Sequence, residues 1–363
     1  SYEHQCTYRA EENMSKVIVF RVDSSFKIAT GHVMRCLTLA KYLSKHRDRI
    51  VFICRDLDGN ISERITKEGF ELKLLPKPKS EMAKSGNEYD NWFEVSLEED
   101  VMQVQEILAE FGTNITLIID HYSIDQKWHR AIRGFVDKIV VIDDLANRPH
   151  DCDIIIDQNL YHNFEHRYDD LVPANSQKFL GQNYAILREQ FYDIEKRKRS
   201  QVKNILIFFG GIDLDNFTLQ SINAVLEVDQ NECANFNVIV IGAKNNYQQE
   251  ITDLCIKHKF EYKSYVDNMA EVMNWADLSI GAGGTTSWER CYLNLPAIII
   301  SLADNQNEIC QTLSDFGMAR YLGNSQNVVQ KAITSSLLEI YNDFNFQMLD
   351  CPSKLPHLVK QLL

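Results

Sequence analysis

The feature that most constrains the fold is an alternation that runs through the chain twice. Short, near-continuous Val/Ile/Leu runs are each followed by a stretch with helical period. Runs at 17–20, 50–54, 71–75, 115–120, 138–142 and 153–156 interleave with helical patterns at 33–43, 60–68, 97–110 and 125–134. A strand apolar on both sides must be covered on both faces, so this rhythm describes a parallel sheet sandwiched between helices. Residues 76–92, rich in Pro, Lys, Ser, Gly and Asn, read as an excursion loop.

The rhythm fades over 157–196 and ends in the charged run Glu195-Lys196-Arg197-Lys198-Arg199. Such a run is ordinarily a solvated face, and here it also marks a boundary. The pattern then restarts, with strands at 204–209, 237–241, 262–266, 277–280 and 297–300 and helices at 216–228, 247–258, 268–275, 285–293 and 305–316. Past Tyr321 it weakens, although 328–341 keeps a helical pattern. The expected fold class is α/β: two Rossmann-like parallel-sheet domains, residues 14–199 and 200–363, facing across a cleft.

Composition removes several functions. A formal net charge of −13 over 363 residues argues against a nucleic-acid or anionic-membrane surface, which needs clustered cations. It leaves room for a small anionic ligand held by backbone amides. Nine scattered cysteines, never spaced C-x-x-C, suit a reducing, cytoplasmic compartment and give neither a disulfide frame nor a zinc site. No run approaches the ~20 apolar residues of a membrane span. Residues 1–13 are polar and precede Met14, and read as a loose tail or added residues, not a signal peptide.

The first chemical candidate is the corner after run 17–20. Arg21 and Asp23 end the strand, a loop delivers Thr30-Gly31-His32, and apolar residues then recur at Val33, Leu37, Ala40 and Leu43. His32 therefore opens a helix, where the dipole disfavours imidazolium and leaves the ring able to accept a proton. The carboxyl edge of a parallel sheet is also where open α/β folds bind ligands. The plainer alternative is a His that only caps the helix; Gly31, Arg21, Asp23 and Arg35 nearby weigh against it. Asp120-His121-Tyr122 closes run 115–120 at an equivalent edge, with helix capping as the alternative for Asp120. Asp143-Asp144 ends another run, but Pro149 and the turn chemistry favour an Asx-turn over a metal pair.

In the second half, Gly210-Gly211 and Gly281-Ala282-Gly283-Gly284-Thr285-Thr286 each link a strand to a helix. Glycines permit close backbone approach to a phosphate, and amides, hydroxyls and a helix dipole converge in the second loop. Neither the P-loop lysine nor the dinucleotide spacing is present, which disfavours ATP hydrolysis and NAD binding. Glu289, one turn in, suits the two hydroxyls of a ribose, against the alternative of an exposed helix carboxylate. Asp304-Asn305-Gln306 closes the next strand at the same edge.

The segments RVDSSFKIATGHVMRCLTLA, IIDHYSID, VIDDLANRPHDCDIIIDQN, LGQNYAILREQF, FFGGIDLDN and GAGGTTSWERCYLNLPAIIISLADNQ occur in that order. With them the chain resembles the bacterial UDP-2,4-diacetamido-2,4,6-trideoxy-β-L-altropyranose hydrolases of pseudaminic acid synthesis, relatives of GT-B glycosyltransferases. The resemblance spans roughly residues 17–306. It implies a GT-B-like fold, His32 as general base, Glu289 and Asn305 on the nucleotide, and the loops Gly210-Gly211 and Gly283-Gly284-Thr285-Thr286 around the phosphates. Tyr122 would lie near the sugar. One departure is Ala29, where the family usually carries Gly, a change that stiffens the loop before His32. The implied protein is a cytoplasmic, monomeric UDP-sugar hydrolase serving bacterial surface glycans such as glycosylated flagellin, with no cofactor or metal and no nucleic-acid or membrane partner. An inverting UDP-sugar glycosyltransferase, or a nucleotide-sugar-binding module without turnover, remains the alternative.

Overall fold

Where the sequence offers runs apolar on both sides strands form, and those at the centre of the first sheet are buried whole. The computed structural model describes residues 16–47, 49–79 and 88–363; the expectations for residues 1–13 and for part of the excursion loop lie outside them. The chain divides into two units.

In unit 1 the strands are β1 (Val17–Val22), β2 (Ile50–Arg55), β3 (Glu71–Leu75), β4 (Ile115–Asp120), β5 (Lys138–Ile142), β6 (Ile154–Asp157) and β7 (Gln177–Leu180). They form one sheet ordered β3-β2-β1-β4-β5-β6-β7, parallel throughout. Helices α1 (Gly31–Ser44), α2 (Ser62–Lys67), α3 (Leu97–Leu108) and α4 (Gln126–Ile132) make the crossovers. Every residue of β1, β2 and β4 is buried. Val19, Ile53, Leu117 and Ile119 pack with Val104, Leu108, Trp128 and Ile132 of the helices. Burial of each such aliphatic side chain is worth about 1.5–3 kcal/mol, which makes this centre the rigid part of the unit.

Unit 2 repeats the plan with β8 (Asn204–Phe208), β9 (Asn237–Ile241), β10 (Glu261–Lys263), β11 (Leu278–Ala282), β12 (Ala297–Ser301) and β13 (Ala319–Asn324), ordered β10-β9-β8-β11-β12-β13 and all parallel. Its helices are α5 (Phe217–Glu232), α6 (Gln248–His258), α7 (Met269–Trp275), α8 (Thr286–Tyr292), α9 (Asn307–Asp315) and α10 (Gln330–Asn342). In both sheets the first strand of the unit lies between the second and the fourth, so connections leave in opposite directions from the β1/β4 and β8/β11 pairs. That reversal opens a crevice at the carboxyl ends of those strands.

The division differs from the one the charge run suggests. Unit 2 comprises Asn159–His162 and Leu187–Ser353, while Asn163–Ile186 and Lys354–Leu363 belong to unit 1. The charge run is tied into unit 2. Arg197 donates to the Asn274 carbonyl (2.6 Å) and to Asp277 (2.9 Å), and Arg199 to the carbonyls of Ala276 (2.6 Å) and Leu293 (2.9 Å). Both thus satisfy orphan carbonyls at the ends of α7 and α8. A last helix, α11 (Leu355–Leu362), returns to unit 1, buries Leu355, Leu358, Val359 and Leu362, and is anchored by Lys354 N–H on the Asn183 carbonyl (2.7 Å). Among the described residues no helix is long and apolar enough to cross a membrane.

Candidate active site

The β1–α1 corner is held by its own backbone. Ser25 accepts from Ala29 N–H through its carbonyl (2.8 Å) and from Ile28 N–H through Oγ (2.9 Å). This fold puts Ala29 at φ 65°, the left-handed region that glycine enters freely and alanine only at about 1–2 kcal/mol. The loop thus takes a turn suited to glycine although the residue is alanine. Thr30 stands at the helix N-cap without a side-chain capping bond, and His32 follows in the first turn.

His32 is 11% exposed, and its Nδ1 lies 2.6 Å from Oδ1 of Asp120, the last residue of β4. No other described residue hydrogen-bonds the ring. Arg35, one turn further along α1, grips the same carboxylate through Nε (2.5 Å) and Nη2 (2.7 Å), and holds Asp144 at 2.8 and 2.9 Å. Tyr122 donates its hydroxyl to Asp144 (2.5 Å) and sets its ring edge-on to the imidazole, 4.6 Å between centroids. Trp92 meets the imidazole edge-on at 5.5 Å and stacks on Tyr122 at 4.9 Å. These rings belong to a small apolar cluster, Ile28, Leu57, Trp92 and Tyr122, separate from the main core.

Burial alone would raise the Asp120 carboxyl, but the charge and hydrogen bonds of Arg35, then His32, hold it well below the usual carboxylate range. An anionic Asp120 accepts from Nδ1–H, which fixes the tautomer and leaves the Nε2 lone pair to take a proton. A carboxylate orienting an imidazole in this way is the arrangement of a general base.

The structure brings His32, Arg35 and Tyr122 together and places Arg21 and Asp23 elsewhere. Both of the latter have fully buried side chains. Arg21 bonds Asp23 and Asp100 (2.6 Å each), Arg55 bonds Asp100 (2.7 Å), His121 Nε2 bonds Asp23 (2.8 Å), and Trp128 Nε1 donates to Asp100 (2.9 Å). Two guanidiniums thus balance two carboxylates inside the unit. Asp143 and Asp144 diverge: Asp143 accepts from the amides of Leu145 and Ala146, from Arg148 and from Tyr168, an Asx-type turn. Among the described residues no group of His, Cys, Asp and Glu is placed to hold a metal ion.

In unit 2 the two glycine corners differ. Gly210 has φ 88°, and Gly211 is exposed. Beyond them Asp213 accepts from the first amides of α5, Phe217 (2.9 Å) and Thr218 (2.7 Å), so that helix start is filled by its own carboxylate. In the second corner Gly281 and Gly283 are sterically required. A β-carbon at Gly281 would strike the Phe208 carbonyl oxygen, and one at Gly283 the Cys310 sulfur. Gly284 and Thr285 lead into α8, Thr286 is its first residue, and Thr285 at the N-cap makes no side-chain capping bond. Glu289 accepts from Arg188 (2.7 Å); burial raises its carboxyl, and Arg188 opposes that shift. Asn305 is exposed in a short turn after β12, and Gln306 of that turn lies against the Gly283-Gly284 segment.

Spacing gave no sign of Trp92 or of the role of Asp144, because both reach His32 only through the fold. Asp120 stood out as a polar strand end, and its pairing with His32 follows from β1 and β4 being neighbours.

Residues 205–362, less than half of the chain, match the family described as the glycosyltransferase family 28 C-terminal domain. The UDP-2,4-diacetamido-2,4,6-trideoxy-β-L-altropyranose hydrolase of Campylobacter jejuni is 32% identical over 56% of this chain and 63% of its own length. An uncharacterised protein of Methanocaldococcus jannaschii is 26% identical over 80% of this chain and 57% of its own, and the Bacillus subtilis spore coat polysaccharide biosynthesis protein SpsG 22% identical over 90% and 89%. The chain therefore spans about three fifths of the first two relatives. Among solved structures, Acinetobacter baumannii MurG superposes with a TM-score of 0.64 at 14% identity, covering 96% of this chain and 99% of MurG. Medicago truncatula UGT71G1, solved with UDP-glucose, gives 0.58 at 12% identity, covering 97% and 94%. At such identities the likeness is one of fold: two Rossmann-like parallel-sheet domains, as in GT-B glycosyltransferases.

Proposed function

We propose that this chain is an enzyme of nucleotide-sugar metabolism that hydrolyses UDP-2,4-diacetamido-2,4,6-trideoxy-β-L-altropyranose to UDP and the free sugar, a step toward pseudaminic acid. The observation that carries the reading is the His32 Nδ1–Asp120 contact of 2.6 Å, which leaves Nε2 as an oriented base at the β1/β4 crevice. The Campylobacter relative supports the reaction named.

Water loses a proton to His32 Nε2 as its oxygen bonds the anomeric carbon. The bond from that carbon to the diphosphate oxygen breaks, its electron pair leaves with UDP, and attack from the opposite face inverts the anomeric centre. Gly283, Gly284, Thr285 and Thr286 hold the diphosphate, Glu289 and Asn305 the nucleoside side, and Tyr122 and Arg35 border the sugar. In this reading the enzyme is cytoplasmic and needs no metal, so EDTA leaves its rate unchanged.

The test is to incubate the protein with that UDP-sugar and no acceptor, following products by NMR. UDP and the free, inverted sugar are expected, and His32→Ala should lower the rate by about 10²–10⁴-fold with an unchanged melting temperature. A variant as fast as the wild type sinks the base assignment. The match to the glycosyltransferase 28 family favours a second reading, transfer to an acceptor hydroxyl. Release of UDP only when an acceptor is added would establish it.

A further inference from the structure

The buried arginines of unit 1 each have carboxylate partners: Arg21 and Arg55 meet Asp100, and Arg35 meets Asp120 and Asp144. Arg290 in unit 2 does not. It is 3% exposed, and its hydrogen bonds to described residues run to neutral acceptors, from Nη2 to the Ala282 carbonyl (2.8 Å) and to Ser287 Oγ (3.2 Å). Among the described residues no carboxylate lies within ion-pair distance; the adjacent Glu289 turns to Arg188 instead. Cys291 and Cys310 are the other titratable groups near it, and both thiols are buried.

A buried, unpaired guanidinium is costly, and proteins keep buried charges where a counter-charge completes them. The place of this one is specific. A β-carbon on Gly281 would lie 3.2 Å from Arg290 Nη1, so the guanidinium sits directly under the end of β11, two residues before Gly283, in space that glycine leaves open. The carbonyl and the hydroxyl that it grips flank the segment proposed above to hold the diphosphate. That segment carries no cation of its own, and the chain as a whole is acidic.

We infer that Arg290 is the built-in counter-charge of the diphosphate site: a positioning residue that fixes the glycine loop from beneath and supplies the positive field that a nucleoside diphosphate completes. The inference rests on the UDP reading of that loop. It predicts that Arg290 distinguishes diphosphate from nucleoside without touching the base or the ribose. A charge buried in a medium less polarisable than water acts across the few ångströms of a loop far more strongly than a surface lysine.

Calorimetric titration of the intact protein with UDP and, separately, uridine tests this. Wild type should bind UDP more tightly than uridine. Arg290→Met should weaken UDP by about tenfold or more while uridine changes by less than about twofold, and Arg290→Lys, which keeps the charge, should recover most of the UDP affinity. Equal weakening of both ligands, or of neither, overturns the inference, as does a lysine variant no better than methionine. Arg290→Gln serves as the second neutral variant should methionine fail to fold; misfolding of both would make Arg290 a structural brace and overturn it too. A wild-type protein that binds no UDP would instead remove the UDP reading itself.

Discussion

Two strand-to-helix corners, β1–α1 in unit 1 and β11–α8 in unit 2, each leave a strand of the central pair of their sheet, β1/β4 and β8/β11, and are built in opposite ways. The first is closed over internal ions: Arg21, Arg55, Asp23 and Asp100 balance one another below it, Arg35 and Asp120 within it. Its backbone carries an alanine where the turn suits glycine. The second is made of glycines with no room for a side chain at 281 and 283, and the buried Arg290 pairs with no carboxylate among the described residues. A corner that satisfies itself can orient a proton acceptor without help, whereas a corner with an uncompensated charge is finished only by what binds there.

The contrast can be broken most forcefully from the ionic side. Asp100→Ala strands Arg21 and Arg55 without their shared partner and should cost about 3–5 kcal/mol of unfolding free energy, whereas Arg290→Met should cost less than about 1 kcal/mol, because the loss of its two hydrogen bonds to neutral acceptors is offset by removal of a buried charge that has no carboxylate partner among the described residues. Urea titrations of both variants decide it; comparable losses would mean that the two corners are not built differently. Next in size, Gly281→Ala forces a β-carbon onto the Phe208 carbonyl and should cost about 1–3 kcal/mol. A midpoint equal to that of the wild type would show that the glycine is there for other reasons. The smallest effect has the opposite sign. Ala29→Gly relieves a left-handed alanine and, after the extra freedom of the unfolded chain is subtracted, should stabilise by about 0.5 kcal/mol. A destabilised variant would show that stiffness in the loop before His32 outweighs its strain.

Much of this architecture is legible before any coordinates, for a physical reason. Strands buried on both faces must be apolar throughout, so β1, β4, β8 and β12 stand out as runs. β7, with the sequence QKFL, and β13, ARYLGN, lie at sheet edges with partly exposed residues and give no run to see. His32 was visible because a Gly-His pair interrupts two periodic segments. Its partners were not: Asp120, itself visible as a polar strand end, Asp144 and Trp92 lie 88, 112 and 60 residues away in the chain and meet His32 only through the sheet order and the loop packing. Arg21 and Asp23 illustrate the converse. Charged residues at a strand end look ligand-facing in sequence, and here they pair with each other and are held inside the core by Asp100 and His121, which no local pattern connects to them.

The return of α11 to unit 1 has a consequence for how the molecule is made. Unit 1 is discontinuous in sequence, and the piece that completes it follows Ser353, after unit 2. During synthesis the unit with the shorter, nearly unbroken stretch can finish folding first, while the sheet of unit 1 waits for a helix made after unit 2. An incomplete unit 1, with the face that α11 covers still open, is then the species that folding helpers would meet.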